Sequence, residues 1–565
     1  MISRGYAVRH ILFVEISRKT GYDLIRGRDV VKCHDLFLWR NTDGPALDTL
    51  DETLPTKKIV HEQHRPSAKS RAGYALFLNK GDVDIITFSD ISIFVISLTI
   101  SQVGIFFRYR NFCNVMKRRI GLLISVIVFL GMSPCNHFNG LTFVSSGEST
   151  IALTKSGEPF EVSLEYSLDG GIWQPYTIGE TISLSDGENV MFRAGGVGND
   201  RFSSTTRDYY YFKISGKLNA KGSVMSLLSR DCSADSVPEY AFTFLFWSCD
   251  GLMSAPLLPA NTLSNQCYNS MFSGCKSLIE APVLPATELA EGCYRYMFYN
   301  CTSLTKAPEL SARKLARRCY YEMFSDCTSL MSAPELPAMK LVKECYSGMF
   351  SGCKSLIEAP VLPATELAEG CYEFMFTRCT NLIKAPELPA TALAENCYYG
   401  MFLDCKSLKI TPSLPAAKLT YACYSNMFNG CESLTEAPEL PATELASFCY
   451  CSMFSSCKSL IEAPSLPATE LAEGCYRYMF YNCTSLTKAP VLPARKLVED
   501  CYYGMFCKCA KLNYVKAMFT DYLSAGTTRD WLAGVSYKGT FVKSYDAHWN
   551  MKECGIPKSW NLERN

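Results

Sequence analysis

The chain has 565 residues, with 56 Lys and Arg against 55 Asp and Glu and a formal net charge of +1. That length exceeds one compact core and requires several domains or an extended repeat array. The balanced charge offers no basic excess of the kind that draws nucleic acid, so no nucleic-acid partner is expected.

Residues 1–115 have mixed composition and no repeat. They hold a weak apolar stretch at 91–107 (ISIFVISLTISQVGIFF) and a lone His61–His64 spacing that does not make a metal site by itself. From 116 to 135 the chain reads MKRRIGLLISVIVFLGMSPC: a basic start, an apolar run over 120–132, then small residues. That is the pattern of a secretory signal. Such a signal begins a protein, so 1–115 reads as an extension upstream of a true start at Met116, and whether it is translated stays open. The alternative is a membrane anchor built from 91–107 and 120–132, although both fall short of the ~20 residues that a helix needs to span a bilayer.

Residues 136–228 read as all-β. Short alternating runs in PFEVSLEYSLDGGIWQPYTIGETISLSDGENVMFRAGG are divided by Asp-Gly and Gly-Gly turns, and YYYFKISGKL adds a further strand. A small sandwich, Ig-like or close to it, is expected, placed to cover the edge of whatever follows. Trp173 fits its core or rim better than a sugar platform.

From 229 to 526 the sequence repeats. PATELAEGCYRYMFYNCTSLTKAP stands at 285–308 and again at 467–490, seven periods of 26 residues later. Cys267, Cys293 and their successors to Cys501 form one column, and Cys275, Cys301 and their successors to Cys509 form a second, begun one unit early by Cys249. Each unit reads C-Y-x-x-M-F-x-x-C-x-S-L-x-x-A-P-x-L-P-A-x-x-L-x-x-x, with ten units from 267 and a degenerate one at 241–266. A fixed period of this size marks a solenoid, and 26 residues are too few for the two packed helices of repeats of ~33 or more. One short strand plus one helical or irregular turn fits. SLTKAPEL is the strand, with a bulge expected at Ala-Pro, where proline withholds a ladder hydrogen bond. LAEGCYRYMF is the turn, with Leu289, Cys293, Met297 and Phe298 facing inward. Phe272, Phe298, Cys267, Cys275, Cys293 and Cys301 are assigned to the core columns.

The succession Met297-Phe298, Cys301, Leu304, Ala307, Leu310, Leu315, Cys319 resembles the treponemal-type leucine-rich repeat of BspA-like bacterial surface proteins, and the 26-residue unit is most similar to Bacteroides-type surface lipoproteins. The resemblance covers about 241–526. Two departures stand out: a unit longer than the common ~23 residues, and an extra residue between Ala307 and Leu310 that leaves the strand register open. The fold class that follows is mainly β with short helical turns: a leucine-rich repeat solenoid of about eleven 26-residue units behind the sandwich, closed by a cap at 527–565 in which Trp531, Phe541, Trp549 and Trp560 supply the apolar bulk. Cys135 stands where the family's lipoproteins carry a lipidated cysteine, with Pro134 a poor match to that site. The resemblance and the export signal together imply the cell surface or outer membrane, reached through an N-terminal membrane anchor, with secretion as the alternative. The oligomeric state is left open.

Three roles compete for the 28 cysteines: disulfides, metal ligands and buried thiols. Side chains stacked in a column run parallel rather than converging on one another. The first column fills a place held by isoleucine in the family, which favours packing. The pairs Cys449/Cys451 and Cys507/Cys509 lack the spacing of a zinc knuckle.

Specificity is left to the variable positions. One column beside the strand runs through Glu280, Lys306, Glu358, Lys384, Glu436, Glu462 and Lys488, either a solvated face of compensating charges or part of a recognition surface. A second set, Tyr296, Phe374 and Tyr478, either binds or fills the outer shell. His548 is the one histidine between 141 and 565, which removes most histidine-based catalysis from the repeat body. Glutamates leave a carboxylate pair open by composition, but they recur with the repeat as a catalytic pair need not. A non-enzymatic protein needing no cofactor is expected, one that adheres to host or bacterial surfaces by binding protein. The alternatives are a glycan-binding protein of an uptake system, for which the exposed aromatics would be needed, and a passive variable coat. Units 273–292 and 351–370 are identical, which suits multivalent display.

Overall fold

The computed structural model describes the backbone of five strands between residues 13 and 96, and residues 140–232, 235–520 and 526–565. The chain divides into two compact units, 1–128 and 129–565. In the first, β1 (Phe13–Ile16), β2 (Tyr22–Arg26) and β3 (Asp29–Cys33) form an antiparallel sheet, and β4 (Val83–Phe88) pairs with β5 (Ile91–Ile96). The export signal, Cys135 and the His61–His64 pair lie outside the described residues. No helix among the described residues is long and apolar enough to cross a membrane.

The second unit opens with two facing sheets. β7 (Ser149–Ser156) lies between β10 (Ile182–Leu184) and β12 (Tyr209–Ser215). The larger sheet runs β15-β13-β6-β11-β8-β9, with β6 at Leu141–Ser145, β8 at Leu164–Leu168, β9 at Gln174–Tyr176, β11 at Asn189–Ala194, β13 at Leu218–Lys221 and β15 at Leu252–Ser254. Alternation places Phe143 and Phe192 of one sheet against Phe212 of the other, with ring centroids 5.2 and 5.3 Å apart. All pairings are antiparallel except β13 with β15, which is parallel. β15 belongs to the first repeat, so the edge of the sandwich becomes the base on which the array stacks.

In each rung the turn segment takes the irregular of its two expected forms. Between 292 and 301 the even-numbered amides donate to the next rung: Gly292 to Arg317 O, Tyr294 to Cys319 O, Tyr296 to Tyr321 O, Phe298 to Met323 O and Asn300 to Ser325 O, at 2.7–3.0 Å. The odd-numbered amides donate three residues back within the rung, as Cys293 does to Ala290 O and Cys301 to Phe298 O. Every fourth residue has positive φ: Gly292 at 58°, Tyr296 at 53°, Asn300 at 55°. The segment is therefore a ribbon of tight turns with a period of four, satisfying every amide within itself or against its neighbour. That period sends Cys293 and Tyr294, then Met297 and Phe298, then Cys301 into the core, all at most 1% exposed, and leaves 295, 296, 299 and 300 half-buried outside. Leu289 is partly buried at its entrance.

The strand segment is reduced further than expected. In most rungs it is a single parallel bridge, such as Glu280 with Lys306 or Glu358 with Lys384, because the proline two residues on has no amide to extend the ladder. A true strand forms only at the last regular rung, where β17 (Lys488–Leu492) pairs with β18 (Tyr514–Ala517) and the register shifts between Lys488 and Val491. That shift spans Ala489-Pro490, the expected bulge.

Two aromatic stacks run the length of this unit. Phe212, Phe246, Phe272 and Phe298 continue to Phe506 at 5.4–5.7 Å per step. Phe202, Phe242, Tyr268 and Tyr294 continue to Tyr502, with successive tyrosines 5.8–6.0 Å apart, and end on Trp531. A lone rung would expose both flat sides of this set to water; only stacked neighbours bury it. The cap continues the array rather than plugging it: β19 (Thr540–Lys543) and β20 (Asn561–Arg564) add to β18 in parallel. Its indoles are buried and each finds a carbonyl: Trp531 Nε1 donates to Cys554 O (2.7 Å), Trp549 to Phe519 O (3.0 Å) and Trp560 to Ser536 O (2.8 Å).

Candidate binding surfaces

Every cysteine from 249 onward is a free thiol. The second column does more than fill space. Cys301 Sγ donates to Phe272 O at 3.0 Å, Cys327 to Phe298 O at 3.0 Å, and the pattern holds from Cys249 on Phe212 O to Cys509 on Phe480 O. A thiol is the small apolar side chain that still carries a donor for the spare lone pair of that carbonyl. Burial pushes Cys267, Cys301, Cys371 and Cys379 up to about 12, so they stay protonated and unreactive at neutral pH. Among the described residues no cluster of His, Cys, Asp and Glu is arranged to hold a metal ion.

The ribbon face carries the aromatic candidates, and they are engaged. Phe374 lies over the next rung's Gly400, where a Cβ would stand 2.5 Å from its ring, and Tyr478 lies over Gly504 in the same way at 2.2 Å. Tyr296 meets Tyr299 and Tyr321 edge-on at 5.9 and 5.4 Å. Guanidinium groups cover the rings: Arg295 is 4.9 Å from Tyr296 and 5.0 Å from Tyr321, and Arg477 is 5.6 Å from Tyr478 and 4.8 Å from Tyr503. All three candidates are half-buried. The geometry makes them rung-to-rung locks in the outer shell.

The opposite, bridge face carries Glu280, Lys306, Glu358, Lys384, Glu436, Glu462 and Lys488, all exposed. Opposite charges meet across the bridges Glu280–Lys306, Glu358–Lys384 and Glu462–Lys488, while Glu436 and Glu462 put like charges side by side. Away from this column the surface is laced by rung-to-rung ion pairs: Lys314–Glu288 (2.8 Å), Lys343–Glu369 (2.7 Å) and Lys418–Glu444 (3.0 Å). These are exposed and worth well under ~1 kcal/mol each, but they neutralise the flank.

Sequence reasoning missed what stands beside the charged column. Ile279, Met331, Ile357, Ile383 and Ile461 point into solvent on that face, joined by Val283 and Val361, the last 79% exposed. Met331, Ala333, Ile357, Ala359 and Pro360 line one shallow depression between Ser332 and Glu358. The signal was present: the column also holds Thr305, Lys409, Thr435 and Thr487, and a column that accepts lysine is not core.

Comparison with known families identifies six copies of the BspA type leucine-rich repeat region, over residues 245–383, 291–435 and 419–522. Among solved structures, the crystal structure of a TLR13–ssRNA13 complex aligns with 17% identity over 58% of this chain and a TM-score of 0.23, and the match spans 45% of that structure's chain. Curated proteins give no match. Residues 245–522 are BspA-type leucine-rich repeats, and stacked rungs of this kind present extended binding surfaces.

Proposed function

We propose that this protein is exported to the cell surface and adheres there by binding protein partners along the bridge face of its array, without catalysis. The observation that carries this reading is the row of solvent-facing aliphatic side chains, Ile279, Met331, Ile357 and Ile383, beside a charged column. Exposed apolar patches rimmed by charge are the composition of protein interfaces. The export signal at 116–135 supports the location, with Cys135 as the proposed lipid anchor. The arginines that cover Tyr296 and Tyr478 weigh against these two as sugar platforms.

The test is binding of the purified chain to immobilised matrix proteins and mucins at physiological salt, compared with an Ile357→Glu/Ile383→Glu variant and a Tyr296→Ala/Tyr478→Ala variant. Saturable binding that the bridge-face pair abolishes and the ribbon-face pair spares supports the reading. Binding lost only with the tyrosines, or no binding to any of these proteins, overturns it.

A further inference from the structure

A different aromatic cluster lies where the sandwich meets the array. Tyr209 and Tyr211 project from the same side of β12, and Phe244 and Trp247 from the ribbon of the first, degenerate rung. Tyr209 lies 4.6 Å from Phe244 and 5.8 Å from Tyr211, and Trp247 lies edge-on 6.1 Å from Tyr211 and 6.4 Å from Phe244. Trp247 is 39% exposed, the most exposed of the four rings, and Tyr209, Tyr211 and Phe244 are half-buried beside it.

This cluster differs from the ribbon-face locks in three ways. Phe244 shares their left-handed backbone, at φ 62°, but the next residue in its column is Ser270 and not a glycine, so the ring does not seat in a notch as Phe374 and Tyr478 do. No guanidinium or ammonium covers these rings among the described residues, whereas Arg295 covers Tyr296 and Arg477 covers Tyr478. The Tyr209 and Tyr211 hydroxyls take no part in a hydrogen bond among the described residues.

We propose that Tyr209, Tyr211, Phe244 and Trp247 form a carbohydrate-binding platform that takes the apolar face of a pyranose ring within a longer glycan. The chemistry selects this class. Rings set at angles offer flat, polarisable faces to the C–H side of a sugar, and the phenol hydroxyls supply hydrogen bonds at the rim. The four side chains are uncharged and none is aliphatic, unlike the bridge face. The site stands apart from the bridge face, so the molecule carries one surface for protein and another for glycan.

The experiment is affinity electrophoresis of the full chain through gels containing mucin, xylan, soluble starch or yeast mannan, alongside Trp247→Ala, Trp247→Phe and Tyr211→Ala variants. Retardation is expected in at least one gel, weakened roughly tenfold or more by Trp247→Ala, weakened by Tyr211→Ala and largely kept by Trp247→Phe, with unchanged melting temperatures. The Ile357→Glu/Ile383→Glu variant is expected to migrate as the parent does, which separates this site from the protein-binding face. Passage through every gel without retardation, or retardation that Trp247→Ala leaves intact, overturns the assignment.

Discussion

The lock between neighbouring rungs is open to direct measurement at Gly400. Its φ is 56°, and a Cβ there would meet the Phe374 ring at 2.5 and 2.6 Å. Gly400→Ala therefore meets two costs. The left-handed backbone costs alanine roughly 1 kcal/mol more than glycine; Ala422 already adopts φ 48° elsewhere in the ribbon, so this conformation is within reach. The overlap costs about 1–3 kcal/mol, because Phe374 is held edge-on against Tyr399 at 5.1 Å and leaves that contact if it swings out. The sum is about 2–4 kcal/mol. In a Phe374→Ala background the obstruction is gone and Gly400→Ala is expected to cost only about 1 kcal/mol, a coupling of about 1–3 kcal/mol. Urea unfolding of the four chains by far-UV circular dichroism measures the cycle. Hydrogen exchange at Phe376, whose amide bonds Met401 O across the same junction, detects local opening that a global transition in a repeat array would blur. An equal cost in both backgrounds would refute the interlock.

Alkali should unravel the array. Burial raises the folded thiols, Cys423 and Cys501 to about 11 and Cys267 and Cys371 to about 12, against about 8.5 in an unfolded chain. The unfolded chain releases these protons first, so the stability they contribute is complete below about pH 8.5 and lost as pH climbs through 11–12, at about 1.4 kcal/mol per thiol per pH unit. Melting temperature should fall steeply between pH 9 and 11; a flat profile to pH 10.5 would contradict the buried-thiol columns. Alkylation mapped by mass spectrometry should label half-exposed Cys507 well before buried Cys509, two residues away, and equal rates would mean that this rung opens freely. Trp531→Ala removes the fully buried ring that ends the tyrosine stack and should cost about 3–5 kcal/mol, with exchange protection lost first in the C-terminal rungs. Uniform loss along the array would show that the cap does not act locally.

The repeat length, the columns and the core were legible in the sequence because an array writes its packing once per unit. Ten copies of C-Y-x-x-M-F-x-x-C leave little doubt about which positions are constrained. The bulge at Ala489-Pro490 was likewise readable, since a proline's missing amide is a property of the residue and not of its surroundings. The ribbon was not so readable. Pairs of inward residues every four positions differ from a helix period by less than half a residue, and over nine residues only left-handed backbone at Gly292, Tyr296 and Asn300 separates the two. The tyrosine column was visible as a repeat but not as core, because a buried phenol depends on neighbours from other rungs.

The candidate sites divide in the same way. The sequence by itself determined that this is a stacked array of 26-residue rungs with thiols in columns and a β-sandwich before it, because periodic burial imposes periodic residues. Only the tertiary structure decided which variable positions are available to a partner. Tyr296, Phe374 and Tyr478 vary from rung to rung as a binding surface would, but each leans on the next rung or lies beneath an arginine. Ile279, Met331 and Ile357 read as ordinary strand residues, but they stand in solvent. Trp247 and Tyr211 come from different domains, and no spacing in the sequence brings them together. Exposure is a property of what lies alongside, and in a solenoid the neighbour is always 26 residues away.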